Sequence, residues 1–304
     1  MSTSCSHPKQ QEYKNRINKI TSVFIETKYE EALLLCNDFI KDYPRSSFGY
    51  ILKGHALNRL NRSAEAIDSY RESLSYIENR DTKNMGMVLE SIGNAYLVLT
   101  QLENALDFYN RALREDPERT AHYTLNIARI NLLKGELEKA KNEYLSAKDK
   151  IEISDQAAQK INPKNKGTIY SSAAFIAYQL GRNTEALEYA LKYDEAKNND
   201  ASKLDLAFYF AKLGDKEKAR RKFHTIKQDN CDPLEIAKYY LLMNQKDLAI
   251  RSFNDSYNQQ KTPLQLETWQ SHFKLKWPRD DWATVREQEW FKSNVIKSGT
   301  PGLK

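Results

Sequence analysis

The sequence predicts an all-α chain assembled from about seven copies of one helical hairpin. Three observations predict it. The stretch Gly86 to Pro117 carries two apolar stripes at helical spacing, separated by a short, mostly polar break. The alanine that opens its second stripe returns along the chain as Ala32, Ala66, Ala105, Ala140, Ala186, Ala219 and Ala249, at intervals of 34, 39, 35, 46, 33 and 30 residues. Finally, the 304 residues contain only 10 Gly and 8 Pro, with 29% charged side chains, which favours helices over a turn-rich sheet.

The central copy is the clearest. Leu89, Ile92, Gly93 and Tyr96 recur at i, i+3, i+4 and i+7, one stripe on a helix. Ala105, Leu106, Tyr109, Ala112 and Leu113 form the second stripe, and Pro117 stands where a proline ends a helix. Gly93, Ala105 and Ala112 are small, so the two helix backbones can approach closely.

In chain order, residues 1–12 are polar and are expected to be disordered. The first copy follows from about Tyr13, with Ile20 and Val23 on its first helix and Ala32, Cys36 and Phe39 on its second. The second copy uses Tyr50, Gly54, Leu57, Ala66, Tyr70 and Ser73. Residues 81–85 read as a short insertion before the central copy. The fourth uses Ala128, Asn131, Ala140, Tyr144 and Ala147, and its second helix runs past Ile151. Ser154 to Gly167 reads as an insertion, with a loop around Pro163. The fifth uses Tyr170, Ala174, Gly181, Ala186 and Ala190; the sixth Ala207, Phe210, Gly214, Ala219 and Phe223; the seventh Ala237, Tyr240, Ala249 and Phe253. An aromatic residue or Cys follows six of the seven alanines by four residues. Residues 261–296 hold all four tryptophans and read as helices capping an open end of the array. Residues 297–304 read as a loose tail.

This pattern resembles the tetratricopeptide repeat (TPR), which asks for bulky, small, Tyr, Ala, aromatic, small and Pro at positions 4, 8, 11, 20, 24, 27 and 32. Leu89, Gly93, Tyr96, Ala105, Tyr109, Ala112 and Pro117 fill all seven places, and the resemblance covers residues 13–260. It implies a right-handed α-solenoid of about seven TPR-like hairpins, closed by the C-terminal helical cap. It also implies a peptide-binding inner wall built from positions 2, 5, 9, 12 and 13 of each first helix. The residues carried onto that wall as the binding groove are Phe48, His55, Asn58, Arg59, Asn94, Arg129, Phe175, Tyr178, Phe208 and Lys238. Glu90 is the one acidic residue on it, so the expected ligand is acidic or ends in a carboxylate. The subclass that clamps chaperone tails needs Lys where Glu90 stands, and Lys and Arg where Thr168 and Ser172 stand. Only its two Asn places, Asn94 and Asn126, are filled.

The search for chemistry returns little. His7, His55, His122, His224 and His272 show no metal-binding spacing, and no phosphate loop, dinucleotide loop or nucleophile elbow is present. Cys5, Cys36 and Cys231 form no CxxC. The expectation is a non-enzyme without cofactor or metal. No apolar run is long enough for a membrane span, and the opening residues hold no signal-peptide core, so a cytoplasmic chain is expected. The net charge of +6, from 47 basic and 41 acidic residues, is too mild to announce nucleic acid. The expected function is a protein–protein interaction scaffold binding a peptide segment of a partner. The alternatives are a peptide-sensing regulator and an RNA-binding helical repeat.

Overall fold

The computed structural model describes residues 8–78, 80–156 and 163–258. Among them lie fourteen α-helices and no strand. They pair as seven hairpins: α1 (Pro8–Ile25) with α2 (Tyr29–Asp42), α3 (Ser47–Arg59) with α4 (Ser63–Leu74), α5 (Thr82–Val98) with α6 (Leu102–Glu115), α7 (Thr120–Lys134) with α8 (Leu137–Gln156), α9 (Pro163–Gln179) with α10 (Asn183–Lys197), α11 (Asp200–Lys212) with α12 (Lys216–Phe223), and α13 (Pro233–Leu242) with α14 (Lys246–Asn258). The chain forms two compact units that meet in sequence at Pro117, the proline ending the third hairpin. The first holds α1 to α6 and the second α7 to α14.

Every hairpin turns in the same way. One residue in the turn of each hairpin adopts the left-handed conformation: Thr27, Asn61, Thr100, Gly135, Gly181, Gly214 and Asn244, each five positions before its recurring alanine. Its N–H reaches back three residues to a carbonyl of the first helix at 2.9–3.2 Å, as from Thr100 to Leu97. The next residue reaches back five, as from Gln101 to Tyr96, at 2.8–3.2 Å in all seven turns. This is the Schellman motif, which satisfies carbonyls that a helix end leaves open. The same residue's carbonyl then accepts the N–H of the recurring alanine, as from Ala105 to Gln101 at 3.0 Å. One residue thus closes the first helix with its N–H and opens the second with its carbonyl.

The seam inside each hairpin depends on small residues. All seven recurring alanines are fully buried. The aromatic residue four places later lies across the first helix at the small position. Tyr70 covers Gly54 and Tyr109 covers Gly93, both rings buried. A Cβ on Gly54 would stand 2.6 Å from Cδ1 of Tyr70, and one on Gly93 3.2 Å from Cδ2 of Tyr109 and 3.4 Å from the Ala105 carbonyl.

Between hairpins, the second helix of one packs on the first helix of the next: α2 on α3 and α4 on α5 in the first unit, α10 on α11 in the second. First helices also touch, α1 with α3, α7 with α9 and α11 with α13. First helices are capped locally. Ser46 accepts from the Gly49 N–H, Asp232 precedes Pro233 and accepts from the Leu234 N–H, and Asn199 and Ser202 form a reciprocal capping box.

Three boundaries differ from expectation. Helix α1 begins at Pro8, ahead of the expected start at Tyr13. Residues 82–85, read as an insertion, form the first turn of α5, and Asp81 caps that turn by accepting from the Asn84 N–H and side chain. Pro163 opens α9, so the run from Pro163 to Gly167 is helical. A proline fits at a helix start, where its missing N–H has no partner to lose. The expected cap at 261–296, its tryptophans and the tail at 297–304 lie outside the described residues.

Two predictions follow from this geometry. A β-branched residue in the left-handed region carries strain of about 1–2 kcal/mol, which Gly escapes. Thr100→Gly should therefore raise stability by about 1 kcal/mol and Gly181→Ala lower it by a similar amount, read by urea denaturation. Gly→Ala inside a helix ordinarily stabilises by about 0.5–1 kcal/mol. At Gly54 the sign should reverse, with a loss of about 1–3 kcal/mol. Gly93→Ala should lose less, since its neighbours stand further off. Stabilisation by Ala at Gly54 would refute the ring-over-glycine seam.

Candidate functional site

The first helices of the second unit bring one face together. On α9, Ser171, Phe175, Tyr178 and Gln179 follow at i, i+4, i+7 and i+8, a single stripe. Asn126 and Arg129 on α7, Asp205 and Phe208 on α11, and Glu235 and Lys238 on α13 are i, i+3 pairs on the corresponding faces. These residues, with Leu125, Ser172, Ile176 and Tyr209, line a cavity of about 180 Å³.

The cations in and beside it lie on aromatic rings. The Arg129 guanidinium sits 5.7 Å from the Phe175 centroid. Lys238 Nζ lies 4.0 Å from the Phe208 centroid and 3.7 Å from Glu235 Oε2. Lys212 Nζ lies 5.5 Å from the Tyr178 ring. Tyr178, Phe208 and Tyr209 meet edge to face, with centroids 5.4–6.2 Å apart. Stacked cations and edge-on rings fix one another's rotamers, so the wall is preorganised. The Gln179 side-chain nitrogen is buried at this wall with no hydrogen-bond partner, and Ser171 Oγ stands 3.5 Å from Asp205.

Five of the ten expected groove residues therefore converge: Arg129, Phe175, Tyr178, Phe208 and Lys238. Phe208 is buried and acts as a floor under Lys238. The other five lie in the first unit, where Phe48 and Arg59 are exposed on α3. His55 and Asn58 turn inward to the Tyr70 hydroxyl, His55 Nδ1 at 2.8 Å and Asn58 Nδ2 donating at 3.3 Å. Asn94 is exposed, but its Oδ1 accepts from the Tyr109 hydroxyl at 2.6 Å. His55 and Asn94 hold the same place in successive hairpins and do the same work, satisfying the hydroxyl of a buried tyrosine. Several leucines given to the wall, Leu97, Leu204 and Leu234, are core.

The wall drawn from sequence misses Asn126, Ser172, Asp205 and Glu235. All four stand at position 6, one residue beyond a position that the expected wall includes. The signal was the i, i+3 relation to position 9, which puts both on one face. It brings in two carboxylates, so the wall is less basic than expected. Among the described residues no group of His, Cys, Asp and Glu is arranged to hold a metal ion.

With this geometry in place, the comparison with known proteins is direct. The family model for the tetratricopeptide repeat matches residues 49–80 and 88–119, the second and third hairpins. These two hairpins are tetratricopeptide repeats. Solved TPR-type structures resemble its fold along most of its length. A Rap protein complexed with Competence and Sporulation Factor superposes with a TM-score of 0.59 at 15% identity, over 97% of this chain and 99% of that one. The Cut9 and Hcn1 hetero-tetramer of APC/C gives 0.55 at 14%, over 83% of this chain and 47% of that one. A tetratricopeptide repeat protein from Parabacteroides merdae gives 0.52 at 19%, over 87% and 98%. At these identities the likeness is one of fold. No curated protein matches this chain in sequence.

The His55 environment yields a pH prediction. Burial, with Arg59 adding to it, holds the imidazole below its ordinary value of 6.5. The unfolded chain then takes up the proton first, so stability is full above pH 6.5 and falls as pH drops towards the folded value. An NMR titration should place the His55 ring below 6.5, and His55→Gln should flatten the loss of stability in that window. A ring titrating at or above 6.5 would contradict the inward-turned histidine.

Proposed function

We propose that this protein is a non-catalytic scaffold that holds a peptide segment of another protein against the face shared by α7, α9, α11 and α13. The TPR fold is one of protein–protein interaction scaffolds. The single observation that carries the reading is the convergence, from four successive first helices, of stacked aromatic, cationic and amide side chains on one cavity. Asn126 and Gln179 can donate to and accept from an extended backbone, and the rings of Phe175 and Tyr178 offer apolar area. Two of the solved relatives, the Rap protein and Cut9, were captured with a partner bound. We place the work in the cytoplasm. The buried thiols Cys36 and Cys231 are free, and burial pushes Cys36 up to about 12, which suits an unreactive core residue.

Partly exposed charge pairs add at most about 1 kcal/mol each, so binding should be micromolar and weakened by salt. The test is affinity capture from the source cells with the full chain and with the double variant Arg129→Glu, Lys238→Glu. If the variant keeps its helical circular dichroism, it should lose the captured partners. Capture of the same partners at the same affinity would place binding elsewhere.

A further inference from the structure

We propose that the cavity takes an uncharged stretch from the interior of a partner polypeptide, gripped at its backbone by the side-chain amide of Gln179. This rests on the peptide-binding reading above and narrows it to a ligand class. Two observations carry it, the balance of charge in the cavity and the state of one amide.

Four lining residues are charged, Arg129 and Lys238 against Asp205 and Glu235, so the lining sums to zero. Each of the four is already engaged within the protein. Arg129 lies over the Phe175 ring, Lys238 lies over Phe208 and 3.7 Å from Glu235, and Asp205 stands 3.5 Å from Ser171 Oγ. A charge brought in by a ligand would lose water and find no surplus of the opposite sign. The rings of Phe175, Tyr178 and Phe208 instead offer an apolar floor to uncharged side chains.

Gln179 differs from its polar neighbours. Asn126 Nδ2 lies 3.4 Å from His122 Nε2, but the buried side-chain nitrogen of Gln179 has no hydrogen-bond partner. A buried donor without an acceptor is a costly state, so the side chain gains by turning its amide to an acceptor that enters the cavity. A primary amide both donates and accepts, which matches the C=O and N–H of one extended residue. The interior of a polypeptide presents that pair at every residue and brings no charge. A free terminus brings a charge with it. Charges on the partner then fall on the flanks of the bound stretch, outside the cavity.

The test uses the full chain and three pools of heptapeptides blocked at both ends. One pool carries only uncharged side chains, one has Asp at the central position and one has Lys there. Peptides retained by the protein on ultrafiltration are counted by mass spectrometry. The uncharged pool should be retained, and each charged pool retained roughly tenfold less or worse. The best-retained peptide is then remade with a single ester link in place of each amide in turn. At one position the ester should cost roughly fivefold or more, the net worth of one backbone hydrogen bond. On Gln179→Met that penalty should vanish while the penalties at other positions stay, a pattern that a misfolded variant would not give. Should Gln179→Met lose its helical circular dichroism, Gln179→Glu, which keeps the shape and removes the donor, takes its place. An unchanged ester profile on the folded variant would overturn the role of Gln179. Equal or better retention of a charged pool would overturn the uncharged-interior reading. So would retention of unblocked heptapeptides alone, and either result leaves the scaffold reading standing. Retention of no pool, blocked or free, would remove both.

Discussion

The residue that joins the two helices of each hairpin is the constraint on which the rest depends. Its N–H closes the first helix and its carbonyl receives the recurring alanine at the start of the second. The angle between the helices is thereby set by backbone hydrogen bonds that any sequence can make, provided one residue accepts a left-handed conformation. Side chains then need only fit the angle. Alanine meets that need at the crossing, where all seven copies are fully buried. Further from the crossing the gap widens, and Tyr70, Tyr109 and Tyr144 fill it. A buried tyrosine must satisfy its hydroxyl, and the chain does so with His55 and Asn58, with Asn94, and with Glu185.

This hierarchy explains which of the expected groove residues line the cavity. In the second and third hairpins the ninth position meets the hydroxyl of the buried tyrosine. Where it is His55 or Asn94, its polar atom is drawn inward. Where it is Arg129 or Phe175, it stacks on its neighbour along the row and shapes the cavity. The same backbone thus offers an internal hydrogen-bonding role in the first unit and a cavity-lining role in the second.

Much of the fold was legible from residue pattern. The alanine spacing located all seven hairpins, because a fully buried crossing tolerates little else. Gly135, Gly181 and Gly214 could have marked the turns. Thr27 and Thr100 could not, since a β-branched residue is among the last expected at positive φ. Pro163 was misread because proline opens helices as readily as it breaks them. In the candidate site, the residues at position 9 were found by family geometry, while Asp205 and Glu235 were passed over despite lying one helical turn from Phe208 and Lys238. Which leucines were core was also hidden, because a leucine at position 5 serves the wall and the interior alike.

The left-handed residue at each turn also bears on how the protein moves. Local opening is governed by local free energy, and segments of one chain can differ widely in it. The seven turns share one geometry but not one cost. Glycine sits in it without strain, asparagine with a little, threonine with more. Hydrogen exchange should accordingly be uneven from hairpin to hairpin, with the fastest opening at turns such as that of Thr100. A lineage can loosen or tighten a chosen hairpin by changing a residue that touches neither the core nor the cavity.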